Sequence, residues 1–119
     1  MDQRNHVIQL CIQGTQAEFR GERDRAREIY QKAWVIASND YEACIAAHYL
    51  GHLEDDPEQK LHWDRVALEK ANSCGDDAVN EFFPSLYLNL GHSHELLGNR
   101  AEAQKYYDLA ADLGVQHQG

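Results

Sequence analysis

The sequence predicts an all-α fold made of three antiparallel helical hairpins. Three glycines, Gly14, Gly51 and Gly91, lie within helical patterns and are 37 and 40 residues apart. Around them apolar residues recur three and four positions apart, and no segment shows the sustained two-residue alternation of a β-strand. A repeat of this length is typical of helical-hairpin arrays, in which each hairpin packs only on its neighbours. We therefore expect a single domain, residues 1–119, with repeats at about 3–37, 40–73 and 77–114.

The first and third repeats share residue types at four matched positions. Offsets of +7, +12, +16 and +19 lead from Gly14 to Gly21, Ala26, Tyr30 and Ala33, and from Gly91 to Gly98, Ala103, Tyr107 and Ala110. Two helices approach closely only where one presents Gly or Ala, and an aromatic ring then fills the wider gap beside it. The match therefore predicts that both segments form hairpins with the same packing.

The first three helices are predicted at roughly 3–20, 23–37 and 40–54. Gly21 ends the first helix, because glycine supplies the left-handed backbone conformation found at helix C-termini. Ile29, Ala33 and Ile36 are spaced three and four apart, which gives the second helix an apolar face. The polar sequence Ser-Asn-Asp at residues 38–40 marks the N-terminus of the third helix.

The last three helices are predicted at roughly 57–73, 77–97 and 100–113. Pro57 is suited to the first position of the fourth helix. Leu86 and Leu90 indicate the apolar face of the fifth, and the turn at Gly98 separates it from the sixth. Unless the fifth helix starts late, Pro84 falls inside it. We expect a kink there, because proline removes a backbone hydrogen bond and clashes with the preceding turn.

The third repeat resembles a tetratricopeptide repeat and reads LYLNLGHSHELLGNRAEAQKYYDLAADLG at residues 86–114. The first repeat carries the same pattern, LCIQGTQAEFRGERDRAREIYQKAWVIA, at residues 10–37. The middle unit departs from it, with a shorter turn and with Trp63 near the place of the small alanine. The resemblance covers nearly the whole chain. It implies a short right-handed α-solenoid of three repeats, whose first helices line a concave groove that in this family usually binds an extended peptide.

If the first helices line a groove, the residues around each anchoring glycine face into it. The second repeat then contributes His48, Tyr49, His52 and Asp55, and the third contributes Leu88, Asn89, His92 and Glu95. The first repeat offers Cys11, Thr15, Glu18 and Phe19 at the equivalent positions. The second and third repeats thus place polar, aromatic and acidic groups on one wall. This wall is the predicted binding site for a peptide or a partner segment.

The histidines of this wall suggest an alternative, a site for a divalent metal or a small ligand. His48 and His52 are four residues apart on one helix face, a spacing that can chelate a metal, with His92 as a third ligand. The ordinary interpretation is that the histidines share a face by accident and hydrogen-bond a peptide backbone or a carboxylate. The HExxH pattern of many zinc enzymes is absent.

Charge and composition limit the function. The chain has 11 basic and 20 acidic residues, a formal net charge of −9, which disfavours nucleic acid and anionic membranes as partners. A protein or peptide partner, in particular a basic one, is compatible with it. We expect a cytoplasmic protein, because the sequence shows neither a signal peptide nor an apolar run long enough to cross a bilayer. Without a nucleophile elbow, a phosphate loop or a dinucleotide fingerprint, we expect no enzyme and no cofactor.

The two ends of the chain predict a homodimer. Repeat arrays normally end in a polar capping helix, whereas no seventh helix is predicted here. The sixth helix has an apolar stripe formed by Tyr106, Leu109 and Leu113. The first helix begins without a cap and is expected to expose Val7, Ile8 and Cys11 or Ile12. Uncovered flanks of this kind associate in symmetric dimers, unless a partner protein covers them or the polar residues nearby leave them solvated.

Overall fold

The computed structural model describes residues 5–114, which form six α-helices, one 3₁₀ helix and no strand. They are α1 (His6–Phe19), α2 (Arg23–Ile36), α3 (Asp40–Leu53), α4 (Pro57–Ser73), the 3₁₀ helix η1 (Asp77–Phe82), α5 (Phe83–Leu96) and α6 (Arg100–Asp112). The helices pack in neighbouring pairs, α1 with α2, α3 with α4, and α5 with α6. The predicted all-helical class is confirmed. Residues 3 and 4 of the predicted first helix lie outside the described residues.

Side chains cap the N-termini of several helices. The Asn5 side chain accepts hydrogen bonds from the backbone N–H groups of Val7 and Ile8, at 2.8 and 3.2 Å. Asn39 and Asp56 cap α3 and α4 in a similar way. Such a cap satisfies N–H groups that have no partner within the helix, and it contributes about 1 kcal/mol. Asn5 thus stands directly before the first helix and caps its N-terminus.

Two glycines allow the helices of the outer hairpins to approach closely. A Cβ atom on Gly14 would overlap the Tyr30 ring, and one on Gly91 would lie 2.5 Å from Cε1 of Tyr107. Both rings are buried. The turns that follow contain two glycines with left-handed φ, Gly21 at 78° and Gly98 at 81°. The predicted equivalence of the first and third hairpins is confirmed, since each seats a tyrosine ring over its anchoring glycine.

The middle hairpin differs because its second helix starts earlier. α4 begins six residues after Gly51, whereas α2 and α6 begin nine residues after their anchoring glycines. Asp64, Tyr30 and Tyr107 each lie seven residues after the first residue of their own helix. Asp64 therefore takes the place of the two tyrosines. Asp64 Oδ1 would lie 2.8 Å from a Cβ atom on Gly51. A carboxylate thus faces the glycine where the outer hairpins have a ring.

Trp63 does not stand in the place of the small alanine, contrary to the sequence-based alignment. The residue that corresponds to Ala26 and Ala103, three after the start of the helix, is Lys60. Trp63 instead packs edge-on against Trp34 of α2, with ring centroids 5.2 Å apart. Both indole rings pack against each of the two clusters of buried apolar residues. This pair therefore joins the first hairpin to the second.

The segment predicted as one fifth helix, residues 77–97, consists of two elements. η1 is capped by Asp76, whose side chain accepts a hydrogen bond from the Ala78 N–H at 2.9 Å, and it buries Val79. Pro84 lies in the first turn of α5. A proline is tolerated there, because its missing N–H would have no partner within the helix. Pro84 therefore begins a helix instead of kinking one, which corrects the predicted boundaries.

The two ends of the described chain are covered to different extents. Val7, Ile8 and Cys11 are 2%, 1% and 1% exposed, so the prediction that they form an exposed flank is wrong. They are buried because α1 packs on both α2 and α3. Ile12 is 41% exposed, and at the other end Leu113 is 52% exposed. The prediction of no seventh helix concerns residues 115–119, which lie outside the described residues.

Candidate functional site

Side chains of α1, α3 and α5, the first α-helix of each pair, meet on one face. Glu18 Oε1 of α1 lies 3.6 Å from His52 Nε2 of α3, and His48 Nδ1 of α3 lies 3.2 Å from Asn89 Nδ2 of α5. Residues four apart share one side of a helix, so the two contacts are neighbours. We call the surface that these four side chains define the α1–α3–α5 face. It brings together three residues of the predicted wall and Glu18 from the first repeat.

One end of this face is a shallow depression of about 330 Å³, the Glu18 depression, lined by Thr15, Glu18, Phe19 and His52. The Tyr30 hydroxyl donates a hydrogen bond to Glu18 Oε2 at 2.9 Å and holds that carboxylate in place. Burial is the main reason that the pKa of Tyr30 is well above its usual value, so this hydroxyl keeps its proton. Sequence reasoning did not include Tyr30 in the site. The sequence signal that could have indicated this role is the position that Tyr30 shares with Tyr107, 16 residues after the anchoring glycine.

Glu18, which lines this depression, and Asp55, which was also predicted in the wall, are in different electrostatic environments. Asp55 forms a salt bridge with Arg23 at 2.6 Å, and the same guanidinium donates to the Leu53 carbonyl oxygen. Glu18 has no Lys or Arg within 4 Å among residues 5–114, and its side chain is only 21% exposed. No Lys or Arg among residues 5–114 therefore forms an ion pair with Glu18, whereas Arg23 forms one with Asp55.

The second depression, the His48 cavity, has a volume of about 230 Å³. Its lining is mostly apolar and comes from α3, η1 and α5: Cys44, Ile45, His48, Tyr49, Phe82, Ser85 and Leu86. Burial, together with the smaller effects of the charges of His52 and Lys60, lowers the pKa of His48 to about 4. An amide N–H can only donate, so Nδ1 accepts the hydrogen bond from Asn89 and the imidazole is neutral at neutral pH.

The remaining predicted residues are distributed around these two depressions. Tyr49 lies between them, and its ring stacks on Tyr30 at 5.2 Å and meets the His48 ring edge-on at 5.5 Å. Glu95 accepts a hydrogen bond from Tyr107, whose pKa rises to about 12 through burial and this carboxylate. Leu88 is half-buried and His92 is exposed, and neither lines a depression.

The predicted histidine ligands do not come together. Within residues 5–114 no group of three or more His, Cys, Asp or Glu side chains is placed to hold a metal ion. His48 is engaged by Asn89 and His52 approaches Glu18, so the two rings reach toward different helices. His94, two residues from His92, is buried and stacks on Tyr106 with ring centroids 5.6 Å apart. It points into its own hairpin, as expected.

Sequence reasoning missed a buried polar cluster around Asp64. This carboxylate is 2% exposed and accepts a hydrogen bond from Ser93 Oγ at 2.5 Å, while Lys60 Nζ lies 3.7 Å away. Burial raises the pKa of Asp64, and Ser93, Lys60 and His92 oppose that rise. The cluster ties α4 to α5 where the outer hairpins have tyrosines. Aligning the repeats on the start of their second helices would have revealed it.

Comparisons with known proteins add no family assignment. No protein-family profile matches the sequence, and no curated protein or solved structure matches it at a significant level. Among residues 5–114, no helix combines the length and apolar character needed to cross a membrane. The function is therefore argued from the α1–α3–α5 face itself.

Proposed function

We propose that this chain is a protein-interaction module of the tetratricopeptide kind. In this proposal its three hairpins stack as a short right-handed α-solenoid, and the α1–α3–α5 face is the concave surface. An extended segment of a partner protein binds there, without catalysis and without a cofactor. The observation that carries the proposal is that the first helices of all three hairpins contribute to one face with two adjacent depressions.

The chemistry of this face suits a peptide backbone. Asn89 carries an amide that both donates and accepts, which matches the alternating N–H and C=O groups of an extended chain. The neutral His48 ring keeps an Nε2–H donor besides the bond that Nδ1 makes to Asn89. Tyr49 offers a half-buried ring between the two depressions. These groups bind polar main chain and apolar side chains together.

Charge indicates the kind of partner. The formal net charge of −9 repels phosphates, so nucleic acid and anionic membranes are unsuitable partners. It attracts a basic protein at long range and raises the rate of association at low salt. We therefore infer a basic or neutral partner segment rather than an acidic one.

The proposal is tested with a partner recovered by pull-down from the lysate of the native host. Replacing Asn89 by Ala removes a donor and an acceptor from the face and should weaken binding of that partner about tenfold, the effect of one lost hydrogen bond in a partly buried contact. His92→Ala should also weaken it, since His92 lies one turn further along α5. Calorimetric titration of the purified proteins gives the affinities.

Gln31→Ala is the matched control, because Gln31 is an exposed amide on α2, a second helix. It should leave the affinity unchanged. If Asn89→Ala and His92→Ala bind the partner as tightly as the unaltered protein and Gln31→Ala do, the α1–α3–α5 face is not the binding surface.

A further inference from the structure

We infer that the bound segment carries a lysine or arginine that pairs with Glu18 and, at a separate position, an apolar side chain that fills the His48 cavity. This inference rests on the proposed function, because it describes what the α1–α3–α5 face recognises. It goes beyond that function in naming two anchors of the bound segment.

The Glu18 carboxylate has the properties of a receptor for a cation. Its side chain is 21% exposed, its orientation is set by the Tyr30 hydroxyl, and no Lys or Arg in residues 5–114 lies within 4 Å of it. Such a half-buried, oriented carboxylate gains more from a cation than a fully solvated one does, because less water competes for it. His52 Nε2, at 3.6 Å, is near enough to form a second wall of the depression.

Phe19 provides the second feature of this receptor. Its side chain is 88% exposed at the edge of the Glu18 depression, although a phenylalanine of a folded protein usually packs against other apolar groups. The methylene stem of a lysine or arginine covers such a ring while the charged head stays at the carboxylate, and the cation is attracted by the ring face. An acidic or a small polar side chain would leave the ring uncovered.

The His48 cavity selects a different side chain. Ile45, Phe82 and Leu86 make its lining mostly apolar, and the histidine in its wall is neutral because burial lowers its pKa to about 4. Its volume, about 230 Å³, is below the range of roughly 300–1,000 Å³ for pockets that hold whole small ligands. One aliphatic or aromatic side chain is therefore the occupant that fits its size and polarity.

The two anchors lie on different sides of α3. Side chains of α1 and α3 line the Glu18 depression, and side chains of α3, η1 and α5 line the His48 cavity. A segment that reaches both therefore crosses α3, and its basic and apolar side chains belong to different residues.

The experiment begins with a library of random 12-residue peptides displayed on phage and selected on the whole chain. We expect the bound peptides to be enriched in sequences that combine a Lys or Arg with a Leu, Ile, Met or Phe. A synthetic peptide of the enriched sequence is then titrated calorimetrically. Exchanging its basic residue for Gln should weaken binding about tenfold, the contribution of one charge-assisted contact, and higher salt should reduce the difference.

Glu18→Gln tests the same contact from the protein side. Glutamine still accepts the Tyr30 hydrogen bond, so the fold is retained while the charge is lost. We expect this variant to bind the peptide about tenfold more weakly than the unaltered protein does. Glu69→Gln, which removes one charge from the exposed face of α4, should bind as the unaltered protein does. Ser85→Trp places a large side chain at the cavity and should also abolish most of the binding.

The possible results separate this inference from the function on which it rests. Peptides that lose binding in Ser85→Trp, but contain no enriched basic residue and bind Glu18→Gln normally, overturn the inference and leave the peptide-binding function standing. Failure to select any peptide, or binding that neither Glu18→Gln nor Ser85→Trp weakens, overturns both. Loss of affinity in Glu18→Gln and in the peptide without its basic residue, with Glu69→Gln unaffected, supports both.

Discussion

At the scale of single residues, burial decides which protonation states the molecule carries. Burial lowers the pKa of His48 to about 4, and the nearby His52 and Lys60 add to the effect. Burial also raises the pKa of Asp64, although Lys60 and other neighbours oppose it. A low-dielectric environment disfavours the charged form of either kind of group. The base therefore stays neutral beside Asn89, and the acid is ionised less readily than usual.

The shift at His48 predicts a pH dependence of stability. Its folded pKa, about 4, is below the ordinary value of 6.5, so between these pH values the unfolded chain binds a proton that the folded chain does not. Acidification across this range therefore lowers the free energy of unfolding, by about 3 kcal/mol for a shift of this size, and the loss is complete only below pH 4. Above pH 6.5 His48 does not make the free energy of unfolding depend on pH.

This contribution is measured by urea unfolding of the unaltered protein and of His48→Gln at several pH values from 7.5 to 4. The glutamine keeps a hydrogen-bond acceptor at this position but does not titrate. We expect the variant to lose less stability on acidification. Asp64, whose raised pKa acts in the opposite sense, is present in both proteins and cancels in the comparison. Identical pH profiles for the two proteins would show that His48 is not buried as a neutral ring.

At the scale of helices, the length of the connection between the two helices of a hairpin decides which residue faces the anchoring glycine. The longer turns of the first and third hairpins bring Tyr30 and Tyr107 over Gly14 and Gly91. The shorter turn of the second hairpin brings Asp64 to the equivalent place. In the outer hairpins a ring packs on the glycine, whereas in the middle one the carboxylate at this place accepts a buried hydrogen bond from Ser93 of α5.

The ring packing predicts the effect of enlarging an anchoring glycine. A Cβ atom at Gly91 would lie 2.5 Å from Cε1 of Tyr107, too close for either helix to remain in place. We therefore expect Gly91→Leu to reduce the free energy of unfolding by about 1–3 kcal/mol through overpacking. Chemical denaturation followed by circular dichroism measures the loss.

Gly75→Leu is the matched control, since a Cβ atom at that position would meet nothing within 4 Å and its φ lies outside the left-handed region. It should change the stability by no more than about 0.5 kcal/mol, as surface substitutions usually do. Equal stability of the Gly91 and Gly75 variants would mean that close packing at Gly91 does not hold the third hairpin together.

At the scale of the whole molecule, self-association remains a prediction and now depends on the C-terminal side. Most of the apolar N-terminal flank that was expected to be exposed is not available for such a contact, because Val7, Ile8 and Cys11 of α1 are buried within the molecule. Leu96 and Leu113, near the ends of α5 and α6, are 53% and 52% exposed. Leu113 borders a shallow depression with Leu109, Phe83 and Tyr87, the kind of apolar patch that a second copy covers.

Light scattering over a wide concentration range tests this prediction. We expect a mass near twice 13.6 kDa at micromolar concentration, and a return to 13.6 kDa in Leu113→Glu, which places a charge in the contact. Leu97 lies in the turn before α6 and is 39% exposed, so Leu97→Glu indicates whether the contact reaches the other end of the α5–α6 hairpin. A mass of 13.6 kDa for the unaltered protein at every concentration would exclude the dimer.

The site could be predicted in part, because helical periodicity tells which residues share one side of a helix. It placed His48 and His52 together and aligned Asn89 with them. It could not tell that Tyr30 of a second helix reaches Glu18, since that contact depends on how far a ring extends between two packed helices. It also could not exclude a metal site, because ligand geometry depends on distances between hairpins.

The sequence alone determined the helical class, the first and third hairpins and most helix boundaries, because these depend on local spacing, caps and glycine or proline positions. Only the tertiary structure decided that Asp64 faces Gly51, that α1 buries Val7 and Ile8, and that Pro84 begins α5 after a 3₁₀ turn. Each of these depends on how one helix lies against another. Contacts between distant segments are set by packing of the whole chain, so a local sequence pattern does not predict them.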